Sequence, residues 1–170
     1  SATTTRVSRA PRTSSTSVSI VGDRAIICVG NRSRSDDGIG PLIAEELRSR
    51  NLDVPVHFSN GEPGELLDLW RGLDRAVMVD AVLTGRSEPG TVQVLRAGDE
   101  PLPVISHASS HGIGLAESIE LARSLRALPG DVRLVGIEAG SLEAGSELTP
   151  AVRAAIPDAI EQILTEAGDA

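Results

Sequence analysis

Aromatic side chains are nearly missing from this chain, which has one Phe, one Trp and no Tyr in 170 residues. That scarcity excludes a surface that stacks bases or sugar rings, and it leaves Val, Ile, Leu and Ala to build the core. Cysteine is equally scarce. The single Cys28 permits no internal disulfide, which fits a reducing compartment. Positive charge is in short supply as well: the formal net charge is −8, and no basic cluster interrupts the body of the chain. Nucleic acid and anionic membrane are therefore not expected as partners. No apolar run approaches membrane-spanning length. What is present is a 40% apolar fraction, enough at this size for the core of one soluble domain without covalent staples.

The first 22 residues read differently from the rest. Ser1 to Ser19 is rich in Ser and Thr, carries Arg6, Arg9 and Arg12, and has no acid. It offers little to bury, so a disordered tail over residues 1–22 is expected, followed by a single domain over 23–170. A secretory leader is not expected, because Gly22, Asp23 and Arg24 break the apolar run that follows the arginines.

From Arg24 onward, strand and helix patterns alternate. Ala25 to Val29, Ala76 to Ala81 and Val132 to Ile137 are continuous apolar runs, the mark of strands covered on both faces. Val54 to Phe58 is a shorter strand candidate. Thr91 to Leu95 follows the Pro89-Gly90 turn and reads as an edge strand, with an antiparallel option. Helical spacing of apolar residues appears from Gly38 to Arg50, Glu65 to Leu73 and Gly112 to Leu128. Thr149 is expected to cap a last helix with Pro150 at its first position, and Pro157 should kink or restart it. The alternation predicts an α/β fold with helices on both faces of a mainly parallel sheet.

In such sheets, sites lie beyond the carboxyl ends of the strands. Three segments bring polar residues there. The loop after the first strand delivers Asp36 and Asp37 to a helix start, the third strand ends at Asp80, and His111 opens the helix that follows Ser109-Ser110. Singly, each has an ordinary structural explanation. Asp36 or Asp37 would serve as a helix cap, and His111 as a residue of a cap region. Asp80 is harder to dismiss, since a carboxylate at the end of an apolar strand needs a cation or several donors. Together, Asp37, Asp80 and His111 make a candidate site for a transition metal. Two carboxylates and an imidazole suit zinc or nickel better than magnesium, and three ligands leave one position open. The paired acids also argue against phosphate binding at this loop.

Several segments carry a family resemblance. Gly30-Asn31 with Asp36-Asp37-Gly38-Ile39-Gly40, then Val79-Asp80-Ala81, then Ser110-His111-Gly112-Ile113-Gly114-Leu115, resemble in order the signatures of the hydrogenase maturation proteases. So do Leu134-Val135-Gly136-Ile137-Glu138 with Leu148-Thr149-Pro150, and the Pro89-Gly90-Thr91 turn. The resemblance implies a five-stranded mixed sheet in a three-layer αβα sandwich. It also implies a cytoplasmic endopeptidase that removes the C-terminal extension of a nickel–iron hydrogenase large-subunit precursor after nickel insertion. By the same resemblance, Asp37, Asp80 and His111 recognise the nickel. That nickel belongs to the substrate, so no resident cofactor is implied. Some members of the family have Glu where this chain has Asp37.

Asp36 is a candidate for orienting Asp37 or moving a proton. Two rivals are carried beside the protease: a non-catalytic, metal-dependent chaperone of the same precursor, and a magnesium-dependent phosphohydrolase using Asp36, Asp37 and Asp80. His57, His107, Trp70 and Glu138 are given ordinary structural roles. Cys28 sits in strand core with no charge to activate its thiol, and no nucleophile-elbow pattern for a serine hydrolase is present.

Overall fold

The computed structural model describes residues 23–97 and 114–168. The expected tail over 1–22, together with His107 and His111, lies outside the described residues.

Five strands form one mixed sheet in the order β2-β1-β3-β5-β4. They are β1 (Arg24–Val29), β2 (Val56–Ser59), β3 (Arg75–Val82), β4 (Val92–Arg96) and β5 (Asp131–Glu138). β1 pairs in parallel with both β2 and β3, and β3 pairs in parallel with β5. Only β4 runs antiparallel, against β5. The chain leaving β3 crosses the end of β5 and turns back through Gly90 into β4, which produces that reversal. Gly90 has φ +85°, and a Cβ there would lie 2.6 Å from the Ala151 carbonyl oxygen, so no other residue fits the turn.

Helices cover both faces. α1 (Ile39–Ser49), α4 (Pro150–Ala154) and α5 (Ile156–Ala167) lie on one side, α2 (Pro63–Trp70) and α3 (Leu115–Ser124) on the other. Alternation along the central strands explains the split. Ile26, Cys28, Val77, Val79, Val135 and Ile137 join the first core, whereas Ala25, Ile27, Met78, Val82 and Leu134 join the second. Trp70 is core: its indole Nε1–H donates to the Met78 sulfur at 3.4 Å. This is the three-layer αβα sandwich expected from the sequence.

The differences are local. β2 begins at Val56 and extends to Ser59, two residues beyond the expected start, because Pro55 has no N–H to pair; its carbonyl instead accepts from Ile26 N. α2 starts at Pro63, its ring suited to a first helical turn. The last helix does restart, ending at Ala154 and resuming at Ile156 so that Pro157 falls in a new first turn. Thr149 occupies the cap position of α4, but its side chain makes no cap hydrogen bond. Its hydroxyl is engaged elsewhere, as described below.

Candidate active site

Parallel strands β1, β3 and β5 end side by side, and the loops leaving them shape one edge of the sheet. The loop after β1 must reverse into α1 within a few residues. It folds back so closely that two positions admit no side chain. A Cβ at Gly30 would lie 2.1 Å from the Asp37 carbonyl oxygen, and one at Gly40 would lie 1.9 Å from that of Val29. Between them runs a short 3-10 turn, Ser35–Gly38. Asn31 N donates to the Asp37 carbonyl at 3.1 Å, Asp37 N to that of Arg34 at 3.1 Å, and Ser33 N to the Asn31 side chain at 2.9 Å. Ser35 adopts φ +49°, an uncommon conformation for a residue with a Cβ.

That strained turn is stitched to a distant segment, residues 139–149, which leaves β5. Ser35 N donates to the Gly145 carbonyl at 2.7 Å, Asp36 N to that of Ser141 at 3.1 Å, and Gly145 N to that of Ser33 at 3.0 Å. The Ser35 hydroxyl donates to the Glu147 carbonyl at 3.0 Å. Arg34 reaches the Leu142 carbonyl through Nε and its terminal nitrogen, at 3.3 and 3.2 Å.

Asp36 is the centre of the stitching. Its side chain is fully buried. Oδ2 accepts from Gly140 N at 2.8 Å, Ser141 N at 2.9 Å and the Thr149 hydroxyl at 2.9 Å, while Oδ1 accepts from Thr149 N at 2.6 Å. Four donors on one carboxylate compensate its burial. They also explain why Thr149 does not cap α4 with its own side chain.

Asp37 and Asp80 present a different picture. Both are buried, and no comparable set of donors surrounds either among the described residues. Burial pushes the Asp37 carboxyl up to about 6, against the nearby Arg34 guanidinium and a hydrogen bond from the Asn31 backbone. Asp80 pairs in register with Gly136 of β5. Its carboxyl is raised well above the ordinary range, first by burial and then by the negative charge of Asp37, with only the Ala81 N–H acting the other way. The two carboxylates therefore feel each other across the mouth of neighbouring strands.

The third expected member, His111, precedes α3 by a few residues. α3 begins at Leu115 and leads through a short turn into the start of β5, so it runs against the parallel strands and opens at the edge where they end. Among the described residues alone, no three His, Cys, Asp or Glu side chains are grouped to hold a metal ion.

Glu138, at the end of β5, is nearly inaccessible. Its Oε1 accepts from Thr84 N at 2.8 Å and Gly85 N at 2.9 Å, and its Oε2 from the Thr84 hydroxyl at 2.8 Å. It fixes the turn that follows β3, two residues past Asp80 in the strand pairing at Val82. Cys28 is fully buried and its thiol is pushed up to about 12 by that burial, with Arg48 acting the other way. A thiolate nucleophile is not available there. Sequence reasoning did not single out Arg34, Thr84 or Thr149 as supports of this edge. Their partners are backbone groups or acids far along the chain, which no local pattern reports.

Comparison with known families decides the identity. A family model described as hydrogenase maturation protease matches residues 42–166. The chain belongs to the hydrogenase maturation protease family. It is 34% identical over 142 residues to the hydrogenase 2 maturation protease of Escherichia coli strain K12, covering 82% of this chain and 87% of that one. Among solved structures, the hydrogenase maturating endopeptidase HybD from E. coli superposes with a TM-score of 0.71 at 33% identity, covering 84% of this chain and 90% of that one. The [NiFe] hydrogenase maturation protease HybD from Thermococcus kodakarensis gives a TM-score of 0.69 at 25% identity, covering 85% and 98%. A hydrogenase maturation protease is a peptide-bond hydrolase, and this chain serves hydrogenase maturation as one.

Proposed function

We propose that this protease removes the C-terminal extension of a nickel–iron hydrogenase large-subunit precursor once nickel is in place, and that Asp37, Asp80 and His111 together read that nickel. One observation carries the reading. Asp37 and Asp80 are buried, mutually repelling carboxylates, and Asp80 has little to offset its charge. A divalent cation arriving with the substrate relieves both burial and repulsion at once. An imidazole from His111, four residues before Leu115 at the start of α3, completes a three-ligand set of the kind that leaves room for the donors the precursor already supplies.

On this reading the metal is substrate rather than resident cofactor. Binding proceeds with loss of any proton held by Asp37 or Asp80, so the site exchanges protons for the ion. Gly30 and Gly40 keep Asp37 close to the strand end, Arg34 limits how far its carboxyl rises, and Glu138 holds the turn beyond Asp80. Precursor without nickel leaves the repulsion unrelieved and is a poor substrate. We assign the reaction to the cytoplasm, a setting suited to the free thiol of Cys28. Membership in a family of proteases favours cleavage over the non-catalytic chaperone and the phosphohydrolase.

Mass spectrometry of a nickel-loaded precursor, before and after incubation, tests the proposal. Loss of a C-terminal peptide is expected with the native enzyme and not with Asp37→Asn, Asp80→Asn or His111→Ala. Full processing by all three variants would overturn it.

A further inference from the structure

We infer that residues 139–149 form a strap that sets the position of Asp37, and that Asp36 is its latch: a positioning residue that neither binds the substrate nor moves a proton. The inference rests on the reading of Asp37 given above and assigns a role to two residues, Asp36 and Thr149, that the reading does not use.

The geometry supports it from both ends. The turn bearing Asp37 is uphill by itself: Ser35 stands at φ +49°, and such residues persist where their surroundings over-determine them. Those surroundings come from the strap. Ser35 N, Asp36 N and the Ser35 hydroxyl each donate to a strap carbonyl, and Arg34 donates to the Leu142 carbonyl. Arg34 is also the cation that acts on Asp37, so the strap holds the side chain that faces the reactive acid. In the other direction, the Asp36 carboxylate collects both ends of the strap, Gly140 and Ser141 at its start and Thr149 at its finish. Three donors converge on Oδ2 and one on Oδ1, so both oxygens of this carboxylate are committed to holding the strap.

Chemistry makes the latch specific to a carboxylate. Oδ1 and Oδ2 both face N–H donors, so an Asn at residue 36 must point its own NH2 group at a donor whichever way it turns. Gly140 adds a spatial constraint, because a Cβ there would sit 3.3 Å from the Thr149 hydroxyl and 3.4 Å from Asp36 Oδ2. The latch is a packed contact as well as a set of hydrogen bonds.

The experiment compares native enzyme with Asp36→Asn, Thr149→Val, Thr149→Ser and Asp37→Asn, using full-length chains and nickel-loaded precursor well below each melting temperature. Amide hydrogen exchange at residues 140, 141 and 149 is followed in parallel. We expect Asp36→Asn and Thr149→Val to remain folded, to exchange faster at those amides, and to process the precursor at least about tenfold more slowly. Thr149→Ser, which keeps both donors, should return processing to within about twofold of native. Folded Asp36→Asn and Thr149→Val enzymes that process at the native rate would overturn the inference, as would Thr149→Ser behaving like Thr149→Val. Unchanged exchange at the strap in Asp36→Asn would overturn the latch by a readout independent of activity. Native processing by Asp37→Asn would instead defeat the reading of Asp37 itself, and the role assigned to Asp36 would fall with it.

Discussion

The negative charge of Asp37 raises the carboxyl pKa of Asp80, although the two residues sit 43 positions apart, one in the turn after β1 and the other near the end of β3. Burial of both groups strengthens that coupling, since little water intervenes to screen it. Once Asp37 is ionised, Asp80 is harder still to ionise.

Stability should fall as pH rises through the Asp37 titration. Its carboxyl lies near 6 in the fold, above an ordinary value near 3.8. Between those values the folded state holds more protons than the unfolded state, so the favourable contribution is full at low pH and disappears above about 6. The cost at neutral pH is at most about 3 kcal/mol. Asp37→Asn should therefore raise the melting temperature at pH 7.5 and do so less at pH 4. Thermal unfolding at the two pH values measures this, and equal shifts would contradict it.

Processing should show the opposite pH trend. Metal capture needs ionised carboxylates, so kcat/KM on nickel-loaded precursor should decline as pH drops through about 6, the position of Asp37. A profile that stays flat from pH 7.5 to 5 would remove Asp37 from the recognition step.

Glu138 and its neighbours allow a sharper comparison. Glu138→Gln can keep Oε1 accepting from Thr84 N and Gly85 N while its NH2 donates to the Thr84 hydroxyl oxygen. Glu138→Ala strands three donors and should cost about 2–4 kcal/mol. Denaturant titration should place the Gln variant within about 1 kcal/mol of native, with the Ala variant far below it.

Gly30 and Gly40, on either side of the turn that carries Asp37, should tolerate no methyl group. Gly40→Ala drives a Cβ into the Val29 carbonyl and Gly30→Ala into that of Asp37. Each should cost several kcal/mol, about 3 or more, by forcing backbone displacement. Chemical denaturation gives the value, and a soluble, native-like Gly40→Ala protein would contradict the packing described here.

Thiol chemistry should leave the enzyme untouched. Cys28 is buried in β1 and its thiol is pushed up to about 12, so iodoacetamide at pH 8 should neither label the folded chain nor slow processing. Labelling followed by inactivation would point to opening of the central sheet.

Much of the fold was legible because central strands covered on both faces announce themselves. Ala76–Ala81 and Val132–Ile137 were found as apolar runs, and β3 and β5 extend them by only one residue at each end. The Pro89-Gly90 turn likewise pointed to the antiparallel edge that β4 forms. Boundaries beside prolines moved, because Pro55 and Pro63 fix where a ladder or a helix can begin. Asp36 shows where sequence stops informing. Adjacent acids at a helix start look alike on paper, yet Asp36 is surrounded by four donors from residues 140–149 and Asp37 is not. Thr149 makes no side-chain cap for the same reason: its hydroxyl donates instead to an acceptor far away in sequence, Asp36 Oδ2. His111 lies outside the described residues, so its place in the site remains part of the proposal.

The bonds between Asp36 and the strap span 104 to 113 residues of sequence. Ribosomal synthesis runs from the amino end, so the loop with both acids emerges long before the donors that fix it. A nascent chain stopped short of residue 139 carries Asp36, Asp37 and Asp80 yet lacks Gly140, Ser141 and Thr149. The site is thus tied to synthesis of the chain through Thr149, and a translation product that stops short of it is a hydrolase without its working loop.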